Sequence, residues 1–268
     1  MEIPKKIITV SLDKLSYAAI PLKILSQTDS ELSICTGFIY QKNCNHYLIT
    51  NWHCFTGKNP ENNQPLKGDF ILPAKVQVPL HKTKSPCISW ERYNFDLIDE
   101  ETNPKWLVHP KYKQGVDVVA LEIKVPKDIF IHPINQQDFE NFEPTIADDV
   151  FILGFPYNFK GGGNFPIWKR ASVATEPTID YNLKPQILVD TASREGMSGA
   201  PVIFRRDGIH GLINGVLNDD TIFGEIQNFV GVYSGRYTGD TQYDAQLGIV
   251  WKKTVIDEII DGKVVDSI

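Results

Sequence analysis

A serine flanked by glycines is the stretch best suited to chemistry in these 268 residues: Arg194-Glu195-Gly196-Met197-Ser198-Gly199-Ala200-Pro201-Val202. Glycine lets the backbone turn tightly, so the peptide N–H groups of Gly196 and Ser198 can converge beside Ser198 Oγ, where a developing oxyanion would sit. A hydroxyl is a weak nucleophile at neutral pH and needs a base beside it. The same residues also suit an ordinary Gly-Ser loop entering the apolar run Ala200–Phe204. What Ser198 does therefore depends on a base and an orienting acid elsewhere in the chain.

Two other places supply such groups. Tyr47-Leu48-Ile49-Thr50-Asn51-Trp52-His53-Cys54 delivers an imidazole just past an apolar strand, and Asp117 stands at the mouth of the apolar run Val118–Ile123. A strand end is a rigid platform, and a partly desolvated carboxylate there needs a partner. Alone, His53 reads equally as a surface histidine and Asp117 as a turn residue capping its strand. Cys44-x-His46 and His53-Cys54 together offer zinc-type ligands. The intervening strand advances about 3.3 Å per residue and holds the two pairs too far apart for one ion. No metal or other cofactor is expected.

The chain around these groups must be β-rich. Short runs of Val, Ile, Phe and Tyr recur between Gly, Pro, Asn and Asp clusters, which predicts an all-β sandwich or barrel protein. The predicted strands are Ile7–Val10, Ala18–Leu25, Glu31–Gln41, His46–Thr50, Phe70–Leu72, Ala74–Val78 and Asp117–Lys124. In the second half they are Val150–Phe155, Ile167–Thr175, Gln186–Asp190, Ala200–Phe204, Gly211–Leu217, Asn228–Ser234 and Leu247–Trp251. One helix is predicted from Thr254, with Val255, Ile256, Ile259 and Ile260 on one face and Gly262 ending it. Thr56–Gly68, Lys82–Gln114 and the Gly161-Gly162-Gly163 stretch Tyr157–Phe165 read as irregular, the last without the Lys-Ser/Thr of a phosphate loop.

Bulk properties narrow the function. Net charge is −6 and the basic residues are scattered, which disfavours a nucleic-acid partner. The apolar start of the chain is interrupted by Ser11, Asp13 and Lys14, and no apolar stretch spans a bilayer, so neither export nor a membrane partner is expected. Cys35, Cys44, Cys54 and Cys87 form no disulfide framework. The expectation is a cytoplasmic protein with its cysteines as thiols.

In the order His, Asp, Ser, the motifs Ile49-Thr50-Asn51-Trp52-His53-Cys54, Asp117-Val118-Val119-Ala120-Leu121 and Gly196-Met197-Ser198-Gly199-Ala200-Pro201-Val202 resemble the chymotrypsin-like serine peptidases, and within them the bacterial trypsin-like branch. The resemblance runs from about Cys35 to Trp251. It implies two antiparallel six-stranded β-barrels with a C-terminal helix: a first barrel at about 1–125, a crossover at 126–147, and a second barrel with the helix at 148–268. It further implies Ser198 as nucleophile, His53 as base and later acid, Asp117 as the group fixing the imidazole tautomer, and the N–H groups of Gly196 and Ser198 as oxyanion hole.

The specificity pocket would lie between Ala192, Ser193 and Arg194 on one side and Tyr233, Ser234, Gly235 and Arg236 on the other. Ala192 stands where trypsin carries its pocket aspartate, so cleavage after Lys or Arg is not expected. Met197 stands where secreted members carry the Asp that pairs with a newly cut N-terminal amine, so no zymogen cleavage is expected either. Cys35 and Cys54 lie where extracellular members place a disulfide. The function implied is a serine endopeptidase of restricted substrate choice, acting on a protein or peptide and open to restraint by a regulatory protein partner. The alternative is a latent or inactive peptidase-fold protein that binds peptides as a scaffold or sensor.

Overall fold

In the computed structural model, residues 12–68, 70–82, 89–192, 194–236 and 246–267 are described. The predicted strand Ile7–Val10, Cys87 and the pocket residue Ser193 lie outside the described residues. The first half holds β1 (Ala19–Leu25), β2 (Glu31–Lys42), β3 (Asn45–Thr50), helix α1 (Trp52–Thr56), β4 (Lys75–His81), β5 (Trp90–Asp96), β6 (Leu107–Val108) and β7 (Val119–Ile123). The second half holds β8 (Asp149–Gly154), β9 (Ile167–Val173), β10 (Gln186–Asp190), β11 (Pro201–His210), β12 (Ile222–Arg236) and β13 (Leu247–Lys252). Helix α2 (Thr254–Gly262) and β14 (Val264–Val265) finish the chain.

All strand pairs are antiparallel, as short connections between neighbouring strands require. The second half is a closed six-stranded barrel in the order β10-β13-β12-β11-β8-β9. The first is a sheet of eight, β14-β6-β7-β3-β2-β1-β4-β5, because the chain returns after α2 to add β14 against β6. The all-β, two-barrel class with a C-terminal helix is thus the architecture seen, with two extra short strands on the first sheet.

Several sequence expectations need correction. Trp90–Asp96 is a strand inside a stretch read as irregular; its side chains alternate between exposed and half-buried, with no strong apolar signal. Phe70–Leu72 is loop, and Gly211–Leu217 is the turn region at the tip of the β11–β12 hairpin, where Leu212, Ile213, Val216 and Leu217 are exposed rather than packed. The tail helix forms as its apolar face predicts, with Val255, Ile256, Ile259 and Ile260 buried. Gly262 is its last residue, however, and Lys263 takes the left-handed cap position.

Each half has its own apolar core, one containing Leu22, Ile24, Phe55 and Trp106, the other Val150, Val189, Met197 and Phe204. A third cluster joins them: Phe38, Ile49 and Val118 from the first half meet Phe155 and Trp251 from the second, with the buried face of α2 among them. Burial on this scale fixes the halves relative to each other, and so fixes the side chains at their seam.

Candidate active site

The short helix α1 carries His53 and is held by its neighbours rather than by its own length, since five residues are too few to be stable alone. Its N-cap Asn51 makes no capping bond; instead Asn51 Nδ2 donates to the Asp117 carbonyl at 2.6 Å. Gly57 closes the helix in the left-handed region and donates to the His53 carbonyl at 2.9 Å. From the far side, the Trp52 and Trp106 indoles both donate to Asp266 Oδ2, at 2.7 and 3.0 Å. The tail that adds β14 therefore also fastens the base of α1.

Asp117 sits in the tight turn before β7, not within the strand, so its buried carboxylate, 3% exposed, is free to take side-chain partners. Oδ1 accepts from the His53 backbone N–H at 2.9 Å. Oδ2 lies 2.6 Å from His53 Nδ1 and accepts from Ser234 Oγ at 2.5 Å. Nδ1 must then be the protonated nitrogen of the neutral ring, which leaves Nε2 as the acceptor on the opposite edge. Burial on its own would lower the pKa of His53, but the charge and hydrogen bond of Asp117 outweigh it and raise the ring well above the ordinary imidazole value.

Ser198 lines the same cavity as His53. No hydrogen bond joins Ser198 Oγ to the ring, whose bonded nitrogen is Nδ1. The turn that presents Ser198 is set by two glycines with φ of +94° at Gly196 and +82° at Gly199. A Cβ on Gly196 would lie 2.3 Å from the Phe155 carbonyl, and one on Gly199 would lie 2.1 Å from the Thr36 carbonyl, so no other residue fits either place. The Glu195 carbonyl accepts from the Tyr157 N–H at 2.8 Å, which turns the Gly196 N–H, on the opposite side of that trans peptide, away from Tyr157. Neither the Gly196 nor the Ser198 N–H donates to another described group.

The turn is clamped from the first half by Thr36, which the sequence alone did not single out. Thr36 Oγ1 donates to the Gly196 carbonyl at 2.7 Å, and the Thr36 N–H donates to the Ser198 carbonyl at 2.8 Å. Between these two anchors Met197 is fully buried in the second core, against Gly154. Only the contact itself reveals Thr36: it lies 160 residues from Gly196 and no local pattern marks it.

The expected pocket residues that are described have different surroundings. Ala192 and Arg194 are exposed, and Gly235 lies beside Ser198, where a Cβ would be 3.9 Å from Oγ. The Ser234 hydroxyl is committed to Asp117, so it orients the acid and does not face a cleft. The Tyr233 side chain forms no cleft wall either: it is fully buried, packed so closely on Gly248 that a Cβ there would sit 2.5 Å from the ring. Arg236 ends β12.

The zinc alternative loses its geometry. Cys44 is exposed at the β2–β3 turn, while Cys54 is buried beyond the other end of β3. Burial pushes the Cys54 thiol well up, helped by a hydrogen bond with Cys35. Among the described residues no helix is long and apolar enough to cross a membrane.

Known proteins show the same architecture. Over 92% of this chain and 96% of the other, it is similar to a thermostable serine protease from an extremophilic microorganism, at 11% identity and a TM-score of 0.50. It is similar to the protein GrC over 92% and 94% of the two chains, at 16% identity and a TM-score of 0.50. A protease of M. tuberculosis in its active form aligns at 18% identity with a TM-score of 0.49, over 94% of this chain and 83% of that one. At such identities the likeness to the first two speaks to the fold alone. No curated protein sequence matches. The pattern of the trypsin-like peptidase domain matches residues 35–211, most of the chain, and with it the chain belongs to the trypsin-like peptidase family, as a hydrolase of the serine endopeptidase class.

Proposed function

We propose that this chain cleaves peptide bonds with Ser198 as nucleophile, His53 as general base and then acid, and Asp117 as the group that fixes the ring. One observation carries the reading: Asp117 holds His53 through both its ring and its backbone, at 2.6 and 2.9 Å, so that Nε2 is the free basic nitrogen of a cavity that Ser198 also lines. In the acylation step His53 Nε2 takes the hydroxyl proton as Ser198 Oγ attacks the carbonyl carbon. The N–H groups of Gly196 and Ser198, which have no acceptor among the described residues, receive the oxyanion. The tetrahedral intermediate collapses as His53 passes that proton to the leaving amine. Water then repeats the sequence on the acyl ester and restores Ser198.

No zymogen cut is needed on this reading. A new terminal amine would find no carboxylate at Met197, whose buried side chain anchors the turn in the second core instead. In this reading the chain works in the cytoplasm, where a reducing environment keeps Cys35 and Cys54 as thiols. The substrate is a protein or peptide, restricted by a cleft that offers no acidic pocket residue at Ala192. Covalent labelling by a fluorophosphonate tests the assignment: wild type labels, while Ser198→Ala and His53→Ala do not. Equal labelling of wild type and Ser198→Ala would remove Ser198 from the role.

A further inference from the structure

The cavity shared by Ser198 and His53 has a volume of about 310 Å³, within the range of small ligand pockets. Its lining is mostly apolar and comes largely from the first half of the chain, with Glu195, Gly196 and Ser198 from the second. Cys35 and Cys54 are buried at its base, Ile34 lies on one side, and Leu66, Phe70 and Ile71 project from the loop after α1. Those three loop side chains are 54%, 42% and 55% exposed. A set of large apolar groups left facing one hollow is favourable only when something apolar covers it.

From Gly57 to Lys67 the loop is tied down by hydrogen bonds. The Leu66 N–H donates to the Gly57 carbonyl at 2.8 Å, Asn59 N–H to Gln64 O at 2.8 Å, and Lys67 Nζ to Leu32 O at 3.1 Å. Across Ser198, by contrast, the Tyr233 ring fills the interior of the second barrel against Gly248. Among the described residues, the apolar hollow that Ser198 lines lies on the side of His53 and the residues that follow it. His53 is the group that hands its proton to the leaving amine, so that side receives the part of the substrate after the cut bond.

We propose that this peptidase selects its substrates by a large apolar side chain, aromatic or aliphatic, on the residue that follows the scissile bond. The inference rests on Ser198 and His53 acting as assigned above. The acyl-enzyme offers a direct probe, because an added amine can replace water in the second step. The amine nitrogen attacks the acyl carbonyl, His53 takes a proton from nitrogen, the bond to Ser198 Oγ breaks, and Oγ recovers that proton as the new amide leaves.

The experiment acylates the full chain with a p-nitrophenyl ester and measures how the acyl group partitions between water and an amino-acid amide. Phenylalanine amide and leucine amide should outcompete glycine amide by about tenfold or more, the factor that one buried large apolar side chain confers. Phe70→Ser combined with Ile71→Ser should bring that preference down toward unity; both sites are exposed enough for the variant to fold. A burst of p-nitrophenol with equal partition among the amides, or a preference that survives the double substitution, overturns the inference and leaves the nucleophile assignment standing. No burst at all, in an enzyme that also fails to take the fluorophosphonate, overturns both.

Discussion

Replacing Thr36 by valine would preserve shape and remove one hydroxyl from the clamp on the serine turn. Thr36 is fully buried; its Oγ1 donates to the Gly196 carbonyl at 2.7 Å and accepts from the Phe155 N–H at 3.2 Å. Valine leaves both backbone groups buried without a partner, at about 1–3 kcal/mol each, and the longer bond belongs at the low end of that range. A loss of about 2–4 kcal/mol follows, or a fall in Tm of roughly 5–10 °C for a chain of this size. The kinetic effect is separate. Removing an oxyanion donor outright costs about 10²–10³ in kcat, and a donor displaced by a loosened Gly196 should lose part of that, about tenfold. KM should change little, because the contact matters only once the oxyanion forms. Thr36→Ser retains the hydroxyl and should recover most of the rate. Stopped-flow acylation by an ester substrate, read beside the melting curve, tests both parts. A folded Thr36→Val enzyme with wild-type kcat would refute the claim that Thr36 aligns the turn.

Other outcomes follow from the same geometry. Asp117→Asn should leave the fold intact and lower kcat by up to about 10⁴-fold, the loss typical of a triad whose imidazole holds the wrong tautomer; unchanged turnover would remove Asp117 from the mechanism. His53 has a raised pKa, so its ion pair stabilises the fold fully below the ordinary value of about 6.5, and that contribution fades as pH climbs through the raised one. Activity needs the neutral ring and runs the other way: the acylation rate should rise with pH to a midpoint above about 6.5, and a midpoint at or below it would contradict the Asp117 contact. Asp266→Ala strips the acceptor from two buried indoles and should cost about 2–3 kcal/mol, with a change in tryptophan fluorescence; an unaltered melting curve would show that the tail does not fasten α1. A thiol reagent followed by mass mapping should modify exposed Cys44 quickly, and Cys35 and Cys54 only on unfolding.

The sequence made legible whatever rested on local pattern. Glycines at 196 and 199, an imidazole past an apolar strand and a carboxylate before another are visible in a few residues each, and the helix face of Val255, Ile256, Ile259 and Ile260 is a simple period. What escaped depends on distant contact. α1 is too short to announce itself and exists because Asp117, Gly57 and Asp266 hold it. Ser234 reads as a pocket wall until Asp117, 117 residues away, is seen to take its hydroxyl. Tyr233 reads as part of the same wall until its ring is seen packed against Gly248 in the core. Hydrophobicity also misled: the apolar residues of Phe70–Leu72 and Gly211–Leu217 signal strands, yet the first lie in a loop and the second stand exposed at a hairpin tip.

The central claim is that one hydroxyl carries the acyl group. Acid quenching of the full-length enzyme during ester turnover, followed by peptide mass mapping, reads that directly. The account predicts one acyl group, on the peptide containing Ser198, present in the wild type and missing in Ser198→Ala. Turnover with no adduct, or an adduct on Cys54 or another residue, would contradict it.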